Sequence, residues 1–197
     1  MKNAILALLC LISMSNLFAQ DKVILTFNDG SEIFGYGRIK INDKIVYRKL
    51  KKGKKKIYNY KKVKKITVFK DSTKLTYEYK IVLGTIIRRD IKLLPEPIIK
   101  GAINLYQKQI NGITSFGGIG GGTRFSHTYS YISKKGKTTV RYLSTDDTTS
   151  KKFKRFASTY FSDCPDLISK INSNYFKESG IKGIVKYYNK NCNKPVK

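Results

Sequence analysis

Alternation of apolar and polar residues, cut at short intervals by turn signals, dominates residues 21–83 and restricts the chain more than any other feature. Val23, Leu25 and Phe27 alternate with Ile24 and Thr26, and Asn28-Asp29-Gly30 follows, a pairing that tolerates positive φ in a hairpin. The next segment places Ile33, Gly35, Gly37, Ile39 and Ile41 on one face. Two glycines on that face predict a bend, a bulge or a close backbone approach. Further turns are expected at Asn42-Asp43, Lys52-Gly53-Lys54 and Lys70-Asp71-Ser72, before Leu75, Tyr77, Tyr79, Ile81 and Leu83 alternate again. Such spacing is that of an antiparallel β meander or a small open barrel.

The middle of the chain is less regular. Leu94-Pro95-Glu96-Pro97 is expected as a loop or strand edge, because proline donates nothing to a ladder. A strand is expected over residues 99–106, and a final hairpin over 127–133 and 138–143, turning at Gly136. Between them, residues 111–123 hold Gly112, Gly117, Gly118, Gly120, Gly121 and Gly122, and read as a mobile surface loop.

The pattern then changes period. Phe153, Phe156, Ala157, Tyr160 and Phe161 fall on one helical face. Pro165 disfavours helix at Cys164 and suits the first turn of a second helix bearing Leu167, Ile168 and Ile171. After Ser179-Gly180, the residues Ile181, Ile184, Val185 and Tyr188 repeat the spacing up to Cys192. The fold class read here is therefore α+β. Its expected organisation is a leader over 1–19, a β-rich domain over 20–145 and a helical C-terminal module over 151–192.

The leader reading rests on Lys2, the apolar run from 4 to 12, and Leu17-Phe18-Ala19, which ends in the small residue a signal peptidase requires. The apolar run is shorter than the roughly 20 residues of a membrane span. Export to a periplasmic or secreted location is expected. Cleavage after Ala19 removes Cys10 and leaves Cys164 and Cys192 as an even pair in an oxidising space. There a disulfide is expected in place of two free thiols.

Several stretches together carry a resemblance. They are the hairpin over 29–35, Gly101-Ala102-Ile103-Asn104-Leu105-Tyr106, Tyr131-Ile132-Ser133 with its turn at Gly136, Tyr160-Phe161-Ser162-Asp163-Cys164-Pro165, and Tyr187-Tyr188-Asn189-Lys190-Asn191-Cys192. In that order they resemble uncharacterised secreted proteins of the Bacteroidetes type. The resemblance implies export and assigns no functional residue.

Catalytic chemistry finds little support. The glycine cluster has P-loop spacing at Gly117 and Gly122, but Thr123 and Arg124 stand where Lys and Ser or Thr are needed. His127 is the only histidine and has no close ligand pair in sequence, and no G-x-S-x-G elbow occurs. Asp146-Asp147 reads as a solvated turn. No enzyme activity, cofactor or metal is expected.

Charge is the remaining signal. With 40 Lys and Arg against 13 Asp and Glu, the formal charge is +27. Lys51, Lys52, Lys54, Lys55, Lys56, Lys61 and Lys62 crowd one expected hairpin, with Lys49, Lys64 and Lys65 beside it and Tyr58 and Tyr60 interleaved. Such a patch attracts polyanions in a salt-dependent way, and its aromatic rings can stack on bases. Envelope lipid, polysaccharide and nucleic acid are the candidate partners. Abundant Lys, Asn, Ile and Tyr also follows from an AT-rich genome, and lysines blunt exposed strand edges. The primary expectation is an exported, non-enzymatic binding or structural protein of the cell envelope, the alternative a polyanion-binding module using the basic hairpin.

Overall fold

The computed structural model describes residues 20–84, 89–115, 122–144 and 146–192. The expected leader, Cys10 and the centre of the glycine cluster lie outside the described residues. The chain is α+β: a mostly antiparallel, open sheet followed by three short helices. Its residues form two compact units, the first ending at Thr76 and the second starting at Tyr77.

In the first unit the strands are β1 (Asp21–Phe27), β2 (Glu32–Ile39), β3 (Ile45–Arg48), β4 (Lys56–Tyr58) and β5 (Val63–Lys70), in the antiparallel order β4-β3-β2-β1-β5. β1 thus pairs on both sides. Val23 faces Gly35 and Val68, and Leu25 faces Ile33 and Ile66. Val23, Leu25, Ile66 and Val68 are all buried. The β1–β2 turn is the expected one, with Gly30 at φ 88° and Ser31 donating to the Asp29 carboxylate through both N–H and hydroxyl.

The glycines on β2 have a definite cause. Tyr47 on β3 pairs with Gly37 and lies over Gly35, and its hydroxyl donates to the Phe34 carbonyl at 2.7 Å. A Cβ on Gly35 would sit 2.3 Å from the Arg48 carbonyl oxygen and 2.6 Å from the Tyr47 ring. The ring replaces the side chain that Gly35 lacks, while at Gly37 a Cβ would meet the Val46 carbonyl oxygen at 2.6 Å and the Val23 side chain at 3.1 Å.

In the second unit β6 (Thr73–Leu83), which starts in the first, pairs with β7 (Arg89–Pro95), and β8 (Ile103–Ser115), β9 (Gly122–Lys134) and β10 (Thr139–Leu143) form an antiparallel ladder. Here two expectations are corrected. The sheet is no pure antiparallel meander, because β10 pairs with β6 in parallel, Thr139 facing Ile81 and Arg141 facing Leu83. The edge that β10 leaves free beyond β9 takes a strand distant in sequence, a pairing that local turn signals do not encode. The glycine-rich stretch is also no simple loop. β8 and β9 pair over thirteen residues, from Ile103 with Lys134 to Ser115 with Gly122. Phe125 covers its partner Gly112, so the missing side chain is filled from across the ladder.

The helices are α1 (Lys151–Tyr160), α2 (Pro165–Asn172) and α3 (Gly180–Asn191). Ser150 caps α1 by accepting from the Phe153 N–H at 3.2 Å, and Pro165 opens α2. Their apolar faces bury Phe153, Ala157, Phe161, Leu167, Ile171, Ile184, Val185 and Tyr188 against Ile103, Leu105, Ile132 and Leu143 of the sheet. Two links fasten the assembly. The Cys164–Cys192 disulfide joins the start of α2 to the end of α3, with Cα atoms 5.6 Å apart. The Asn189 side chain bonds the backbone of Ile103 as a neighbouring strand would, accepting from its N–H at 2.7 Å and donating to its carbonyl at 2.8 Å. Gly101 leaves room for that amide, since a Cβ there would lie 2.4 Å from Asn189 Nδ2.

Candidate functional site

The β3–β4 hairpin positions the basic run. Its turn is closed by the Gly53 N–H donating to the Leu50 carbonyl at 2.8 Å, and β4 follows with Tyr47 facing Lys56 and Ile45 facing Tyr58. Because side chains alternate along a strand, Lys56 and Tyr58 share one face while Ile57, 54% exposed, takes the other.

That face borders a groove of about 650 Å³. Lys49, Lys54 and Lys56 supply its cations, and Phe27, Phe34, Tyr47 and Tyr58 its rings. Tyr58 meets Phe27 edge to face at 5.6 Å and Tyr47 at 6.0 Å, so three rings form one connected set. Phe34 stands 68% exposed. Burial and the neighbouring Tyr58 push the Tyr47 phenol above its ordinary value, and it stays a neutral donor to Phe34 at physiological pH. Glu32 is the acid of the described lining, and it accepts from the Thr26 hydroxyl at 2.7 Å.

The structure divides the residues singled out in the sequence. Lys54, Lys56 and Tyr58 line the groove. Lys51, Lys52 and Lys55 are exposed on the hairpin without lining it. Tyr60, Lys61 and Lys62 belong to a separate turn, held by Asn28, whose side-chain amide donates to the carbonyls of Tyr60 and Lys61 at 3.2 and 3.0 Å. The rings of Phe27, Phe34 and Tyr47 are absent from the sequence expectation. They come from β1, β2 and β3 and reach the hairpin only through strand register. Gly35 is the signal for one of them, since Tyr47 occupies the space that its missing side chain leaves.

Elsewhere, His127 packs against Tyr129 at 4.6 Å and pairs across the ladder with Ile110. Asp147 accepts from the Thr149 hydroxyl and N–H, which hold its carboxyl below the usual range. Among the described residues no group of three or more His, Cys, Asp or Glu side chains is placed to hold a metal, and no helix is long and apolar enough to cross a membrane.

The chain matches no protein-family model, no curated protein and no solved structure.

Proposed function

We propose that the protein is an exported, non-enzymatic binding protein that holds an anionic polymer in the lysine-and-ring groove of its first unit. The observation that carries this reading is the convergence of Lys49, Lys54 and Lys56 with Phe27, Phe34, Tyr47 and Tyr58 around one concavity. Lysine is a mobile point charge suited to tracking a backbone of repeated anions. Aromatic faces add contact with flat or ring-bearing units, which favours nucleic acid or polysaccharide over a lipid head group. Export is supported by the leader pattern and by the Cys164–Cys192 disulfide, a bond that persists in oxidising compartments.

The test is a salt series. Binding of a labelled single-stranded oligonucleotide and of a sulfated polysaccharide is followed by fluorescence anisotropy, for the parent protein and a Lys49→Gln/Lys54→Gln/Lys56→Gln variant. If the groove is the site, the slope of log affinity against log salt for the oligonucleotide becomes shallower by about 2, near 0.7 for each phosphate no longer neutralised. Phe34→Ala then weakens binding by about 1–3 kcal/mol where a base stacks on that ring. An unchanged slope in the triple variant rejects the groove.

A further inference from the structure

The second unit holds a different concavity, a cleft of about 470 Å³ beside β10 and α1. Its volume is that of a small-molecule site. Lys152, Arg155, Phe156, Thr159 and Tyr160 recur at helical spacings of three and four, so α1 turns one face to the cleft, and Arg141 enters from β10. The rings of Phe156 and Tyr160 stack at 5.2 Å with planes 25° apart, and both lie partly buried against the core. They make an apolar wall. Three cations surround it, and the described lining holds no carboxylate. The ion pairs found among the described residues, Lys80–Glu78, Lys92–Asp90, Lys100–Glu96 and Lys134–Asp163, use none of these cations.

An apolar wall beside cations without a carboxylate is complementary to one kind of small ligand. A purely apolar molecule leaves the charges unanswered, and a bare inorganic anion leaves the stacked rings uncovered. A guanidinium offers paired N–H donors matched to carboxylate or phosphate oxygens. The Tyr160 phenol, pushed up to about 12 by burial and by the nearby Asp163 carboxylate against the pull of Arg141, stays a neutral hydroxyl at physiological pH.

We propose that this cleft binds a small amphipathic anion, a carboxylate or phosphate monoester on an acyl or aryl body. The head group lies on Arg141, Lys152 and Arg155, and the body covers the Phe156–Tyr160 stack. The site belongs to the second unit and does not depend on the polymer groove.

Isothermal titration calorimetry at physiological ionic strength tests it with four probes: decanoate, decyl phosphate, inorganic phosphate and dodecyltrimethylammonium. The two amphipathic anions are expected to bind at one site, and whichever binds tighter identifies the head group. Inorganic phosphate and the cationic surfactant are expected to give no saturable heat. Arg141→Gln and Arg155→Gln should each weaken binding about ten-fold, as expected when one charge-assisted hydrogen bond is removed. A Lys177→Gln/Lys182→Gln variant, which removes two exposed charges outside the cleft, should bind as the parent does. Arg155 is exposed, so Arg155→Gln keeps the test decisive if Arg141→Gln fails to fold by circular dichroism. The proposal is overturned if neither amphipathic anion binds, if inorganic phosphate binds equally well, or if the charge removed outside the cleft matters as much as the arginines.

Discussion

Asp163 gathers two donors from two elements: the Lys134 ammonium of β9 at 2.9 Å and the Tyr188 hydroxyl of α3 at 2.7 Å. Burial pulls its carboxyl upward, but the hydrogen bonds from Tyr188 and Lys134 and the lysine charge outweigh it and hold the group below its ordinary 3.8. A folded-state value below the unfolded one means that the unfolded chain takes up the proton first on acidification. The contribution is therefore complete above about pH 4 and is lost as pH falls through the lower folded value. Tyr188 behaves oppositely. Burial and the bond to Asp163 raise its phenol, so its share is complete below about pH 10 and fades as pH rises beyond that. Asp163→Asn should accordingly flatten the acid limb of a melting-temperature profile below about pH 4, and lower stability modestly at neutral pH, the pair being partly exposed. An acid limb identical to the parent's would mean that other carboxylates set it. None of this is legible in sequence, where Asp163 is only one residue of the Ser162-Asp163-Cys164-Pro165 stretch between two helical stripes.

At the scale of elements, what is legible depends on how local the determinants are. The helices follow from a 3.6-residue period and Pro165, all within a few positions, and α1 carries Phe153, Phe156, Ala157 and Tyr160 of the expected stripe. Strands β8 and β9 run on into the segment expected as a loop because Gln107, Gln109, Ser126 and Ser130 carry no apolar alternation. Their pairing is settled across the ladder, where Gln109 donates to Ser126 at 2.8 Å and Phe125 covers Gly112. The groove is half legible for the same reason: its lysines are close together in sequence, its rings are not. The disulfide is the element-scale feature whose energy can be tested. It closes a separation of 28 residues across α2 and α3, for which chain entropy gives about 3.5 kcal/mol. A Cys164→Ala/Cys192→Ala variant should lose up to that amount in urea unfolding, with α3 amides gaining the most hydrogen exchange. A loss near zero would show that the burial of Ile184, Val185 and Tyr188 already confines the loop without the bond.

For the molecule as a whole, the question is whether a charge of +27 acts as a diffuse field or through one site. Cations spread over a surface repel one another and weaken the compact state, and salt relieves this as the Debye length falls from about 30 Å at 0.01 M to about 8 Å at 0.15 M. The melting temperature should therefore rise by a few degrees over that range. A fall would mean that surface ion pairs outweigh repulsion. At matched ionic strength an anionic polymer should raise the melting temperature further, since a ligand that prefers the folded state stabilises it by mass action. The groove variant then separates the two cases. Lys49, Lys54 and Lys56 are three of the 40 basic residues, so a diffuse field keeps nearly all of the polymer's effect when they are neutralised. A site built on those lysines and the Phe27–Tyr58–Tyr47 ring set loses most of it while the response to simple salt persists. Compositional bias alone produces the first pattern, and only a binding groove produces the second.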